Sequence, residues 1–130
     1  MFIILSGSNG VPLYQQIVDQ LRAKILSGEL RPGEPLPSMR QLAADLMTSM
    51  ITTKRAYQEL EAAGLIQTRP GLGTYVCQLP DSSVEEIKLN DVRQQLAEVL
   101  RHAGRLGVSR SLLRQLFEEA LQTEEDSHEK

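Results

Sequence analysis

Four cations in the middle of the chain, Arg40, Lys54, Arg55 and Arg69, alternate with the short hydroxyls Ser38, Ser49 and Thr52 and with Gly71. Guanidinium and ammonium groups neutralise phosphates, and hydroxyls and free amides fix the register of a backbone polyanion, so this mixture suits contact with nucleic acid. Other chemistries find no residues. His102 and His128 are the only histidines, and neither has a Cys, Asp or second His at metal-ligand spacing. No Ser/His/Asp set or carboxylate pair stands out. Gly71-Leu72-Gly73 is followed by no Lys-Ser and opens no helix, so it does not read as a nucleotide-phosphate loop. We therefore expect no catalytic residues, no metal and no cofactor.

The elements that must position these residues lie in Ser38–Val76. Ser38 is a good N-cap for a helix, with Gln41 in the capping-box position. Met39, Leu42, Ala43 and Leu46 form that helix's inward stripe. Met47-Thr48-Ser49-Met50 then reads as a turn, with Ser49 capping the next helix. In that helix Thr53, Ala56, Tyr57 and Leu60 face a core, while Met50, Ile51, Lys54, Arg55 and Gln58 face away and Thr52 lies on the flank. Gly64 ends it. Residues 65–69 and 73–77 alternate as two strands around a Pro70-Gly71-Leu72-Gly73 turn. Two short helices followed by a hairpin make a winged helix-turn-helix, an arrangement that lays its second helix in a DNA major groove.

Upstream, residues 2–10 read as a short apolar segment and a turn. Pro12 suits a helix start, and a core helix follows over 13–27 with Tyr14, Ile17, Val18, Leu21 and Ile25 inward and Gln15, Gln16, Asp19 and Gln20 outward. Three prolines between Pro32 and Pro37 then hold the chain extended. Downstream, residues 79–83 read as a linker. Val84, Ile87, Val92, Leu96, Val99, Leu100 and Ala103 mark an amphipathic helix over roughly residues 83–105, and Leu112, Leu113, Leu116 and Phe117 mark a second helix capped by Ser109. The acidic end after about residue 122 reads as frayed. The expected organisation is a winged-helix domain over 1–79 and a helical tail over 80–130. The fold class is mainly α with a small β-wing.

At 130 residues with 41% apolar side chains, the chain can fold a core. A single cysteine, Cys77, permits no internal disulfide, and the N-terminus lacks the basic flank and long apolar run of a signal peptide. A cytoplasmic protein with no membrane span is expected. The net charge of −3 looks wrong for a nucleic-acid partner, but residues 1–80 hold seven basic and six acidic side chains, and the remainder seven and eleven. The acidity belongs to the tail, and local charge governs docking.

Four stretches in order, Pro12-Leu13-Tyr14-Gln15-Gln16-Ile17, Leu30-Arg31-Pro32-Gly33 through Ala43, Arg55-Ala56-Tyr57-Gln58-Glu59-Leu60 and Gly71-Leu72-Gly73-Thr74-Tyr75-Val76, resemble the DNA-binding domain of GntR-family bacterial transcription regulators. The short helical remainder resembles the family's YtrA branch, whose tail mediates dimerisation. The resemblance implies a sequence-specific double-stranded DNA-binding regulator, a homodimeric repressor acting on an imperfect palindrome beside its target operon, which in that branch often encodes transporters. It places a backbone-contacting arginine on Arg40, the start of the recognition helix on Ser49, Met50, Ile51 and Thr52, a contact position on Lys54 and the wing tip on Pro70-Gly71. Many members carry arginine where Met50 stands, and a methionine donates no hydrogen bond.

The expected DNA-contacting set is thus Ser38, Arg40, Ser49, Met50, Thr52, Lys54, Arg55, Arg69 and Gly71. Pairing of the helix-three cations with Glu59 or Glu61 on the same helix is the competing structural role. The expected dimerisation set is Val84, Ile87, Val92, Leu96, Val99, Leu100, Leu112, Leu113, Leu116 and Phe117. A small-molecule effector is indicated by no residue. The alternative reading is a winged-helix protein–protein assembly module with weak or lost DNA binding, and absence of a mobility shift at low salt would favour it.

Overall fold

Pro12 opens the first helix with its carbonyl, which accepts the Gln15 and Gln16 amides at 3.0 and 3.1 Å. In the computed structural model, which describes residues 3–128, the elements run α1 (Leu13–Ser27), β1 (Pro35–Leu36), α2 (Met39–Leu46), α3 (Met50–Ala62), β2 (Ile66–Arg69), β3 (Gly73–Val76), α4 (Asp81–Leu106) and α5 (Arg110–His128). The mainly α chain with a small β-wing is the expected winged helix-turn-helix followed by two helices. Phe2 lies outside the described residues. Two compact units divide between Ile87 and Lys88.

In the first unit α1 and α3 pack through Ile17, Leu21, Ala56, Tyr57 and Leu60, all essentially inaccessible to water. Leu42 from α2, Leu36 from β1 and Ile66 and Val76 from the hairpin complete the core. Gln16 departs from its expected outward place. It is buried, its Oε1 accepting the Ser6 amide at 2.8 Å and its Nε2 donating to the carbonyls of Ser6 at 2.6 Å and Val11 at 2.9 Å. Gln20 bonds Ile4 in the same two-way manner. The reason is accounting: a segment with no sheet partner needs donors and acceptors, and amide side chains offer both.

The sheet is antiparallel with order β1-β3-β2, one strand more than expected. Pro35 pairs with Tyr75 and Leu36 with Thr74, and Val76 donates to the Glu34 carbonyl at 3.0 Å. A proline is tolerated there because β1 is an edge strand. Across the hairpin the register runs from Ile66 opposite Val76 to Arg69 opposite Gly73.

The helix ends follow one pattern. Gly64 takes a φ of 77° beyond α3, and the next amide, of Leu65, reaches back to the Leu60 carbonyl at 3.0 Å. The same closure ends α2, with Thr48 bonding Ala43 at 2.9 Å, yet the left-handed residue there is Met47, at φ 54°.

Residues 81–83, expected as linker, are already helical, because the Pro80 carbonyl accepts the Ser83 and Val84 amides at 2.9 and 3.1 Å. Val84 and Ile87 pack against the core of the first unit. In the second unit, Leu112 donates to Ser109 Oγ at 3.2 Å, the expected cap of α5. That helix is assigned through His128, past residue 122. No glycine or proline follows Gln122 to stop it, and Thr123 Oγ1 bonds the Glu119 carbonyl at 3.0 Å. Glu129 and Lys130 lie outside the described residues.

Candidate nucleic-acid interface

The turn between α2 and α3 is fixed by two part-buried bonds from buried side chains. Thr53 Oγ1 donates at 3.0 Å to the carbonyl of Met39, the first residue of α2. Tyr57 Oη donates at 2.7 Å to the carbonyl of Pro37. Burial pushes the Tyr57 phenol well above the ordinary range, so it stays a donor at physiological pH. Held from behind in this way, α3 turns Met50, Ile51, Lys54, Arg55 and Gln58 to solvent.

Both helix starts are capped as expected, Gln41 donating to Ser38 Oγ at 3.0 Å and Thr52 to Ser49 Oγ at 3.2 Å. The first is no capping box, because the Gln41 side chain runs forward to Asp45 Oδ1 at 2.7 Å. The hydroxyls of Ser49 and Thr52 also bond each other at 2.9 Å. Thr52 is half-buried, so it buttresses the cap as well as lying at the surface.

The cations divide. Among the described residues neither Arg40 nor Lys54 has an ion-pair partner, and both are exposed. Carboxylates on the same two helices are engaged elsewhere, Asp45 by Gln41 and Glu61 by the Thr68 amide at 3.0 Å. Arg55 is partnered: its guanidinium lies 3.8 Å from the centre of the Tyr14 ring and 3.8 Å from Glu59 Oε1. The i,i+4 pairing with Glu59 is therefore present, and Arg55 sits on the edge of α3 nearest α1.

At the wing, the Leu72 amide closes a turn on the Arg69 carbonyl at 2.9 Å, with Pro70 and Gly71 between them and Gly71 at φ 76°. Proline then glycine at those places is the type II pattern, which requires a positive φ at its third residue. Tyr75 braces the tip. Its hydroxyl donates to the Leu72 carbonyl at 3.0 Å, and the Arg69 guanidinium lies 4.9 Å from its ring centre.

Beyond the expected set, three large apolar side chains of this region stand open to solvent: Met47 at 93%, Ile51 at 81% and Leu72 at 72%. For Ile51 the signal was in the sequence, an apolar residue out of phase with the Thr53, Ala56, Tyr57, Leu60 stripe.

Of the expected dimerisation residues, Val92, Leu96, Val99, Leu100, Leu112, Leu116 and Phe117 are exposed and Leu113 is half-buried. Leu96, Val99, Leu100, Leu113 and Phe117 line an apolar hollow of about 770 Å³ between α4 and α5 with Arg110 and Arg114 in its wall. Ala103 is the one buried residue among those described in this unit.

A capped helix presented outward from a three-helix core, with a braced hairpin beside it, defines a winged helix-turn-helix DNA-binding domain. Residues 13–76 match the family of bacterial regulatory proteins described as the gntR family. The chain belongs to the GntR family and is a transcription regulator of that family. It is 33% identical over 117 residues to the HTH-type transcriptional repressor YtrA of Bacillus subtilis, covering 90% of both chains. A GntR family transcriptional regulator from Listeria monocytogenes superposes with a TM-score of 0.72 at 27% identity, over 86% of this chain and 97% of that one. A crystal structure of AraR(DBD) in complex with operator ORR3 superposes with a TM-score of 0.50 at 25% identity, over 59% of this chain and 93% of that one. Among the described residues no helix is long and apolar enough to cross a membrane.

Proposed function

We propose that the protein is a cytoplasmic homodimeric repressor that binds an imperfect palindrome near the genes it controls and catalyses no reaction. Each copy sets α3 in a major groove and lays its wing along the neighbouring minor groove, with half-sites about one helical turn, roughly 10 base pairs, apart. The observation that carries this reading is the outward face of α3, where Met50, Ile51 and Lys54 stand exposed, with Arg40 on α2 also exposed and without an ion-pair partner among the described residues. Arg40, the N-terminus of α3 and the wing hold phosphates, while the outward side chains of α3 meet base edges. The operator complex of AraR(DBD) supports the docking mode.

Pairing is supported by the second unit. Two helices that bury one side chain between them gain little from burial at roughly 25 cal/mol per Å², whereas a second copy would cover the Leu96, Leu100 and Phe117 face. The test is a mobility shift of the full-length chain on duplexes spanning its own promoter region. A shift that weakens steeply with salt is expected; none at low salt would sink the reading.

A further inference from the structure

We infer that Ile51 is a specificity-determining residue that reads the C5-methyl group of a thymine in each operator half-site. The inference rests on the DNA-binding mode proposed above. Residues 51, 54, 55 and 58 share the outward face of α3, since side chains three and four apart on a helix lie on one side. Among them Arg55 is drawn sideways to Tyr14 and Glu59. Thr52 next to it is half-buried, its hydroxyl bonded to Ser49. At the helix start, where recognition helices touch base edges, the more open of the two large apolar side chains is Ile51, 81% exposed against 46% for Met50.

Isoleucine has no polar atom, so it cannot distinguish bases by hydrogen bonding. The major-groove edge carries one apolar group, the thymine methyl, and that is the partner an isoleucine selects. Met50, also exposed and also unable to donate, adds no competing polar readout from the same turn. The first turn of α3 thus selects by shape, and Lys54 supplies the nearest cation on its outward face.

The experiment uses the full-length protein and the duplex it enriches from a randomised pool. Each thymine is replaced in turn by deoxyuridine, which removes only the methyl, and affinity is read by fluorescence anisotropy at constant salt. One thymine per half-site should lose about fourfold on replacement, the worth of one buried methyl, and Ile51→Ala should bind the thymine and uracil duplexes equally. Ile51→Val, which keeps a branched apolar end, should retain the preference. Binding of the parent duplex with no methyl-sensitive position, or methyl sensitivity that survives in Ile51→Ala, would overturn the inference while leaving the DNA-binding reading intact. Failure to enrich any duplex would remove both.

Discussion

Tyr57 on α3 donates its hydroxyl proton to the carbonyl of Pro37, 2.7 Å away, and so ties the recognition helix to the residue before the α2 cap. Among the described residues no buried side-chain polar atom lacks a partner. Tyr57→Phe would leave the Pro37 carbonyl, half-buried by its residue, without this donor. A lost buried bond costs about 1–2 kcal/mol, so the urea midpoint should fall with the slope unchanged. An unaltered midpoint would mean water replaces the phenol freely.

The same phenol sets a pH dependence. Its folded pKa lies above the ordinary tyrosine value of about 10 because burial disfavours the phenolate. The folded state therefore holds this proton more tightly than the unfolded chain. Its contribution is complete below about pH 10 and is lost as pH rises above that value. Thermal melts of the parent should lose stability over that alkaline range more steeply than melts of Tyr57→Phe. Parallel curves would assign the alkaline loss to other groups.

Met47 holds a left-handed conformation that its side chain gains nothing from, since it is almost wholly in water. A non-glycine residue in that region costs about 1–2 kcal/mol, whereas glycine returns about 0.4–1 kcal/mol through a freer unfolded chain. Met47→Gly should accordingly stabilise the first unit by about 0.5–1 kcal/mol, read as a raised denaturation midpoint. A fall would indicate that Met47 makes a stabilising contact despite its exposure.

These cases mark what the sequence could and could not carry. Caps and ends are local, so Ser38, Ser49 and Gly64 were legible, and the Thr53, Ala56, Tyr57, Leu60 stripe declared the buried face of α3. Pro35–Leu36 is too short for a periodic signal, and its pairing depends on Tyr75 and Thr74 far along the chain. Gln16 was misplaced because polar character says outward, and only the partnerless Ser6 and Val11 carbonyls draw it in. Helical spacing put Val84 and Ile87 in the expected dimerisation set, but spacing does not say which surface an apolar face covers, and both pack on the winged-helix core. For the site, residue type placed the cations, but the Tyr14 ring that separates Arg55 from Arg40 and Lys54 comes from α1.

That separation can be measured. Arg40→Ala should weaken binding to all duplexes and lower the logarithmic salt slope by about 0.9 for each arginine engaged. Arg55→Ala should cost about 0.5–1 kcal/mol of folding stability through the lost ring contact and change the slope less. An unchanged slope in Arg40→Ala would strike it from the phosphate contacts. A full slope loss in Arg55→Ala would mean the guanidinium leaves Tyr14 for DNA.

Where the chain is cut should decide which property is lost. Val84 and Ile87 pack on the winged-helix core, while the exposed stripe begins beyond them. A chain ending at Ile87 should fold with most of the parent's midpoint yet run as a monomer in light scattering and bind its operator poorly. A chain ending at Leu79 should also be monomeric but less stable by about 2 kcal/mol or more, since the core loses the cover of two aliphatic side chains, Val84 and Ile87. In the full chain, Leu100→Glu should reproduce the monomer while sparing the first unit, because a carboxylate on a face that must be covered opposes association far more than folding. A truncated chain that remains dimeric would move the pairing surface into the winged helix.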